Sequence, residues 1–158
     1  MIALKDILYK VTINAVVGST GVQVNAIEFD SRQIKTNDVF VAIRGSVVDG
    51  HNFIEKAIEL GAAAVVCEAL PEQLQNGITY IEVDSASKAL AFMAANYYDN
   101  PSGNLKLVGV TGTNGKTTVS TLLYQLFKKA GFKVGLLSTV KIMVGDKEFK
   151  TTHTTPDS

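Results

Sequence analysis

Gly112-Thr113-Asn114-Gly115-Lys116-Thr117-Thr118 combines residue types and spacing that suit the binding of a polyphosphate. Gly112 and Gly115 allow backbone conformations that a Cβ forbids, so successive N–H groups can point at one anion. A helix opening at Lys116 adds the partial positive charge of its N-terminus. The Lys116 ammonium has the reach to meet the outer phosphates of a nucleotide, and the Thr117 hydroxyl is a hard oxygen ligand for Mg²⁺. The full P-loop pattern wants glycine where this chain has Val110, so the match is to the Gly-Lys-Thr core. The chemistry would be nucleotide binding, with Lys116 on the phosphates and Thr117 on the metal. A glycine turn with a surface lysine is the alternative, and the flanking elements weigh against it.

Those flanks must supply a strand that ends at the turn and a helix that starts there. Residues 105–110 read as a buried strand. Val119, Leu122, Leu123, Leu126 and Phe127 then recur at i, i+3, i+4, i+7 and i+8, one apolar stripe of a helix. Lys128 and Lys129 fall in its last turn, and Gly131 is the stop. An apolar run at 134–137 begins the next strand. Strand, glycine turn, helix and strand predict a βαβ unit with a parallel pair. Residues 142–144 and 147–149 flank Gly145-Asp146 as a hairpin, and 151–158 are polar and irregular.

About a hundred residues precede this unit, a domain's worth. Their pattern predicts a helix at 4–9, a strand at 22–26 that residues 27–29 extend, and strands at 39–43, 63–67 and 79–83. It also predicts helices at 53–60, capped by Asn52, and at 86–98, capped by Asp84 or Ser85. Asn100-Pro101-Ser102-Gly103 breaks the last of these and marks a boundary between domains at 1–100 and 101–158. The residues after Thr118 are too few for the several βα units of a P-loop sheet, so the second domain is expected to be only begun.

Composition excludes several classes. Fifteen basic residues balance fifteen acidic ones, which argues against a nucleic-acid or anionic-membrane partner. No apolar run approaches a membrane span, and Lys5 and Asp6 interrupt the N-terminus where a signal peptide needs an apolar core. The one cysteine, Cys67, sits in an apolar run and reads as a core thiol. These features fit a reduced, cytoplasmic protein.

Three polar stretches carry open readings. Asp30-Ser31-Arg32 follows a strand, where it can bind a ligand or simply close a turn on its own backbone. The loop 45–50 can bring backbone close to a ligand or be a surface turn. His51 and His153 have no second His or Cys at ligand spacing, so no zinc site is visible. His51 reads as part of a helix start; His153-Thr154-Thr155 reads as a hydroxyl cluster or a solvated tail.

Together, several stretches resemble the Mur ligase family: Phe29-Asp30-Ser31-Arg32, Asp38-Val39-Phe40-Val41-Ala42, Asp49-Gly50-His51, Gly61-Ala62, residues 109–118, and His153-Thr154-Thr155-Pro156. The resemblance spans the chain. It implies a small N-terminal α/β domain that binds a UDP-linked substrate, followed by the first βαβ unit of a Mur-type P-loop ATPase domain. It implies ATP-dependent carbon–nitrogen ligation in peptidoglycan precursor synthesis. There, meso-diaminopimelate or L-lysine is added to UDP-N-acetylmuramoyl-L-alanyl-D-glutamate through an acyl phosphate. ATP and Mg²⁺ are the implied cofactors, and the UDP-muramoyl dipeptide and a diamino acid are the implied partners.

The same resemblance implies roles for single residues. Gly112, Thr113, Asn114, Gly115, Lys116, Thr117 and Thr118 would hold ATP, with Thr117 on the metal and Lys116 as the catalytic residue that neutralises charge on the transferred phosphoryl group. Phe29 and Ser31 would contact the uridine diphosphate, and Ser46, Val47 and Val48 would lie against it, where relatives often carry His-Gln-Ala. His153, Thr154 and Thr155 would hold the sugar–peptide portion. Alternatives are the D-alanyl-D-alanine-adding branch of the family and a nucleotide-binding module without catalysis. Further metal-binding and amino-acid-binding pieces of relatives would follow Ser158. The resemblance therefore implies a chain inactive as a ligase alone, and the apolar stripe on its helix must either pack on the first domain or be left for self-association.

Overall fold

Near-continuous apolar runs set the first layer of the fold. The computed structural model describes residues 1–45 and 48–150, and the chain divides into two units, Met1–Leu105 and Lys106–Ser158. The first unit contains β1 (Ile2–Ala3), α1 (Leu4–Ile7), β2 (Ala15–Val17), β3 (Gln23–Val24), β4 (Ile27–Glu28), β5 (Val39–Val41), α2 (Ile54–Glu59), β6 (Ala64–Cys67), β7 (Thr79–Glu82) and α3 (Ala86–Tyr97). Five strands form one sheet in the order β2-β7-β6-β5-β4. β4, β5, β6 and β7 are parallel, with Val39 opposite Ala64 and Val66 opposite Ile81, while β2 runs antiparallel to β7. β1 and β3 form a separate antiparallel pair.

Alternation along the strands sorts the core into two halves. Val39, Val41, Ala64, Val66, Ile81 and Val83 face α1 and α3, where Leu4, Ile7, Leu90 and Met93 meet them. Phe40, Ala42, Val65, Cys67 and Tyr80 face the other way, onto Ile34, Ile54 and Ala57. Strands buried on both faces need no polar alternation, which is why β5 reads Val-Phe-Val and β6 reads Ala-Val-Val-Cys. α3 starts at Ser85, whose hydroxyl accepts from Lys88 N, and the Glu68 carboxylate accepts from Ala86 N at 3.0 Å. Both satisfy orphan donors of the first turn. Asn96 ties the far end to α1 by donating to the carbonyls of Ile7 and Tyr9.

Cys67 is fully buried, and its thiol points to the Ile81 carbonyl oxygen at 3.9 Å. Burial, with the Glu82 charge nearby, pushes the thiol up to about 11. At pH 8 that leaves about one thiolate in a thousand. Iodoacetamide is therefore expected to alkylate Cys67 roughly a hundredfold more slowly in the native protein than in urea. Equal rates by mass spectrometry would show that the thiol is accessible.

Two local expectations shift. The helix at 53–60 begins as a 3-10 turn, Gly50–Phe53, and runs on as α2. Its cap is Asp49 rather than Asn52, because the Asp49 carboxylate accepts from His51 N at 3.0 Å. β2 was not foreseen: it is a three-residue edge strand with Val16 and Val17 partly exposed, too short to show a period.

In the second unit α4 (Lys116–Lys129) is followed by β8 (Gly135–Leu137), β9 (Lys141–Val144) and β10 (Lys147–Lys150). The sheet order is β10-β9-β8, and both pairings are antiparallel. The hairpin turns at Gly145, where φ is +57°. The expected parallel partnership is absent among the described residues. Residues 105–110 join no ladder, and Leu105, Leu107 and Val108 are exposed. β8 instead takes β9 as its neighbour. A parallel pair is favourable where helices cover both faces of the sheet, and α4 is the one helix among the described residues of this unit. The stripe on α4 is open too, with Leu122 and Leu126 about as exposed as Leu105. α4 is held through Tyr124, which is buried and donates from its hydroxyl to the Gly145 carbonyl oxygen at 2.5 Å.

Candidate functional site

The carboxyl ends of β4, β5 and β6 open on one edge of the sheet, because those strands are parallel. After β4 the chain makes the turn Phe29-Asp30-Ser31-Arg32. Asp30 caps a 3-10 turn, Ser31–Gln33, by accepting from Arg32 N at 3.0 Å, and it holds the Arg32 guanidinium at 2.7 Å. The local-turn reading of Asp30 is thus realised. Ser31 differs: it is 7% exposed, and its hydroxyl makes no hydrogen bond to another described residue. Phe29 is half exposed beside it.

Hydrogen bonds from the Arg32 side chain and backbone hold the Asp30 carboxyl down at about 2, and the same pair raises Arg32. A depressed carboxyl stabilises the fold above its ordinary value and loses that contribution as pH falls through the folded value, here from about pH 4 to about 2. A carbon-detected NMR titration of Asp30 is expected to show a midpoint near 2 that rises toward the ordinary carboxylate range in Arg32→Ala. Identical midpoints in both proteins would mean that the pair does not form in solution.

After β5 the chain loops back on itself. Gly45 N–H donates to Val48 O at 3.0 Å, Gly50 N–H to Ile43 O at 2.8 Å, and Arg44 pairs with Asp49 by Nε to Oδ2 at 3.3 Å. His51 is not merely part of a helix start. Its ring lies 2.7 Å from Asp49 Oδ1 through Nδ1, and its Nε2 accepts from Glu68 N at 2.9 Å. The loop after β5 is thereby bonded to the residue that follows β6. Sequence reasoning missed Arg44 and Glu68, and gave Asp49 no role beyond its place in the stretch Asp49-Gly50-His51. An Asp two residues before a His was the available signal, since Asp commonly accepts from the backbone two positions on.

In the second unit the glycine turn opens α4 directly. Gly115 is the N-cap with φ +77°, and Gly112 has φ +146°. A Cβ at Gly115 would meet nothing within 4 Å. Glycine is needed there for its conformation, and the space in front of the turn is open. Lys116 Nζ lies over this turn, donating to the carbonyls of Gly112 and Thr113 at 2.5 and 3.5 Å. The ammonium thus sits beside backbone N–H groups at a helix N-terminus, a concentration of positive charge fit for an anion. Thr113, Asn114, Thr117 and Thr118 are in place around it, at the turn and in the first turn of α4.

Val48 is exposed at the loop after β5. Ser46, Val47, His153, Thr154 and Thr155 lie outside the described residues. Among the described residues no group of three or more His, Cys, Asp or Glu could hold a metal ion. No helix among them is long and apolar enough to cross a membrane.

A mostly parallel α/β unit with polar loops at its carboxyl edge, and a second unit built on a P-loop-type turn, define the class: an α/β protein of the P-loop kind. Comparisons with known proteins narrow it. The description "Mur ligase family, catalytic domain" matches residues 23–98, and "Mur ligase middle domain" matches 110–158. The chain belongs to the Mur ligase family. It is 54% identical over 156 residues to the UDP-N-acetylmuramoyl-L-alanyl-D-glutamate–2,6-diaminopimelate ligase of Cytophaga hutchinsonii, matching 98% of this chain and 32% of that protein. A solved structure of a ligase of the same description matches with TM-score 0.67 at 23% identity, over 98% of this chain and 31% of the other, a likeness of fold. The MurF ligase from Thermotoga maritima, solved in complex with ADP, matches with TM-score 0.50 at 33% identity over 67% of this chain and 24% of the other. The chain spans about a third of the length of the curated relatives it matches, 32% of the first.

Proposed function

We propose that this chain carries the uridine-substrate and ATP-binding portions of a ligase that joins diaminopimelate, or L-lysine, to UDP-N-acetylmuramoyl-L-alanyl-D-glutamate in the cytoplasm. The observation that carries the reading is the turn 112–115, with Lys116 lying over it at the start of α4. The names of the relatives supply the substrate, and the ADP complex of the Thermotoga protein supports the nucleotide.

In this reading Gly112 to Thr118 hold the triphosphate tail. Lys116 takes up charge that builds on the phosphate oxygens as the substrate's carboxylate is converted to an acyl phosphate. Phe29, Ser31 and Val48, with Ser46 and Val47, hold the uridine diphosphate, and His153, Thr154 and Thr155 the sugar–peptide. Grip on the remote nucleotide end positions the reacting carboxylate. The donor set fits Mg²⁺ in one way. Thr117 gives a single neutral oxygen, and Mg²⁺ commonly completes its shell from phosphate oxygens and water. The ion would therefore arrive with the nucleotide, and no stand-alone metal site is implied. Self-association belongs to the same proposal, through the open stripe of Val119, Leu122 and Leu126 on α4.

Calorimetric titration tests the reading. The UDP-muramoyl dipeptide and Mg·ATP are each expected to bind saturably, and UDP to compete only with the former. Binding of ATP without the UDP compound would leave a nucleotide module. Preference for the UDP-muramoyl tripeptide would move the assignment to the D-alanyl-D-alanine-adding branch.

A further inference from the structure

The chemistry at His51 is fixed by what lies on each side of its ring. A backbone amide only donates, so the Glu68 N–H requires a lone pair on Nε2. The ring proton then sits on Nδ1, facing the Asp49 carboxylate. The His51 side chain is 14% exposed. Both anchors are rigid. Asp49 also accepts from His51 N and from Arg44 Nε. The next residue, Gly50, packs so closely that a Cβ there would come within 2.6 Å of the Ile43 carbonyl oxygen. On the other side Glu68 follows β6, and its carboxylate is turned to the first N–H of α3. A continuous chain of bonds therefore runs from Arg44 through Asp49, His51 and Glu68 to the helix after β7.

Resting on the reading that Val48 lies against the uridine diphosphate, we propose that His51 is the positioning residue for that contact. Its ring, bonded to Asp49 on one side and to the Glu68 N–H on the other, holds Val48 and the Arg44–Asp49 pair at the carboxyl edge of the sheet. The physical reason is that the position must give a donor to the Asp49 carboxylate and an acceptor to the Glu68 N–H at once.

Asp49 and Arg44 lie on the loop that carries His51, and Glu55 and Glu72 line the same cavity of about 400 Å³. The backbone and ring N–H groups of His51 hold Asp49 below the ordinary carboxylate range, so it stays ionised between about pH 5 and 8. The chain has one other histidine, His153.

Wild type, His51→Gln and His51→Ala, titrated with UDP, decide the matter. A glutamine amide has a donor end and an acceptor end, as the ring does, and can replace both bonds. His51→Gln is expected to bind UDP within about threefold of wild type, and His51→Ala about tenfold more weakly. Hydrogen exchange at the Glu68 amide, read alongside, should keep its protection in His51→Gln and lose it in His51→Ala. Full UDP affinity in His51→Ala, or a Glu68 amide equally protected in wild type and His51→Ala, overturns the inference. Should wild type fail to bind UDP, the substrate reading falls, and the inference about Val48 falls with it. If the glutamine variant does not fold, the affinity and the Glu68 protection of His51→Ala decide in the same way.

Discussion

Lys116→Ala is expected to weaken Mg·ATP binding to this chain by roughly 10- to 100-fold while leaving UDP binding unchanged. The ammonium lies over the turn it serves, bonded to the Gly112 and Thr113 carbonyls. In that position it needs only a small movement to exchange those carbonyls for phosphate oxygens. A charge-assisted hydrogen bond of this kind contributes about 1.5–3 kcal/mol, which sets the factor. Backbone amides of the turn and the helix N-terminus remain in the variant, so residual affinity is expected. Lys116→Arg is not a neutral control, because a planar fork does not replace a compact point charge beside a tight turn. UDP binding serves as the internal check on folding, since the loops proposed for it belong to the other unit. Calorimetry that finds equal ATP affinity in wild type and Lys116→Ala would remove the turn from the site.

What the sequence made legible follows the physics of burial. β5, β6 and β7 stand out because a strand covered on both faces must be apolar throughout, and α3 because a capping serine precedes a spaced apolar stripe. α4 was legible at both ends for the same kind of reason: glycine at its cap and lysines in its last turn. The likeness of the whole pattern to the Mur ligases was legible as well, and the family matches agree with it.

Residues 105–110 show the opposite case. Their composition says strand, but a ladder is a property of two segments, and the segment at 135–137 is engaged with 141–144 instead. The His51 network was illegible for a related reason. Glu68 contributes its backbone N–H to it, a group every residue but proline possesses, so no pattern of side chains could reveal the bond. Asp30 and Ser31 show how adjacent residues part company: the first is consumed by its own turn, and the second is left with a hydroxyl that no described residue takes.

Phe40→Ala is expected to destabilise the first unit by about 3–5 kcal/mol, against about 5–15 kcal/mol for a whole domain. Phe40 is 1% exposed at the middle of β5, opposite Glu28 on one side and Val65 on the other. Its ring fills the half of the core that also contains Ile34, Ile54 and Tyr80, so the truncation leaves a cavity among buried side chains. Phe92 provides the contrast within one residue type: it lies on α3 but is 47% exposed, so Phe92→Ala should change stability by less than about 1 kcal/mol. Urea unfolding followed by circular dichroism suits a chain without tryptophan. Similar losses from the two substitutions would show that the Phe40 ring is no better packed than an exposed one. The functional consequence runs through the same strand. β5 leads into Arg44, Asp49 and His51, so loosening its middle should weaken UDP binding even where the variant remains folded. A folded Phe40→Ala protein with wild-type affinity for UDP would separate the core from the loop it is argued to position.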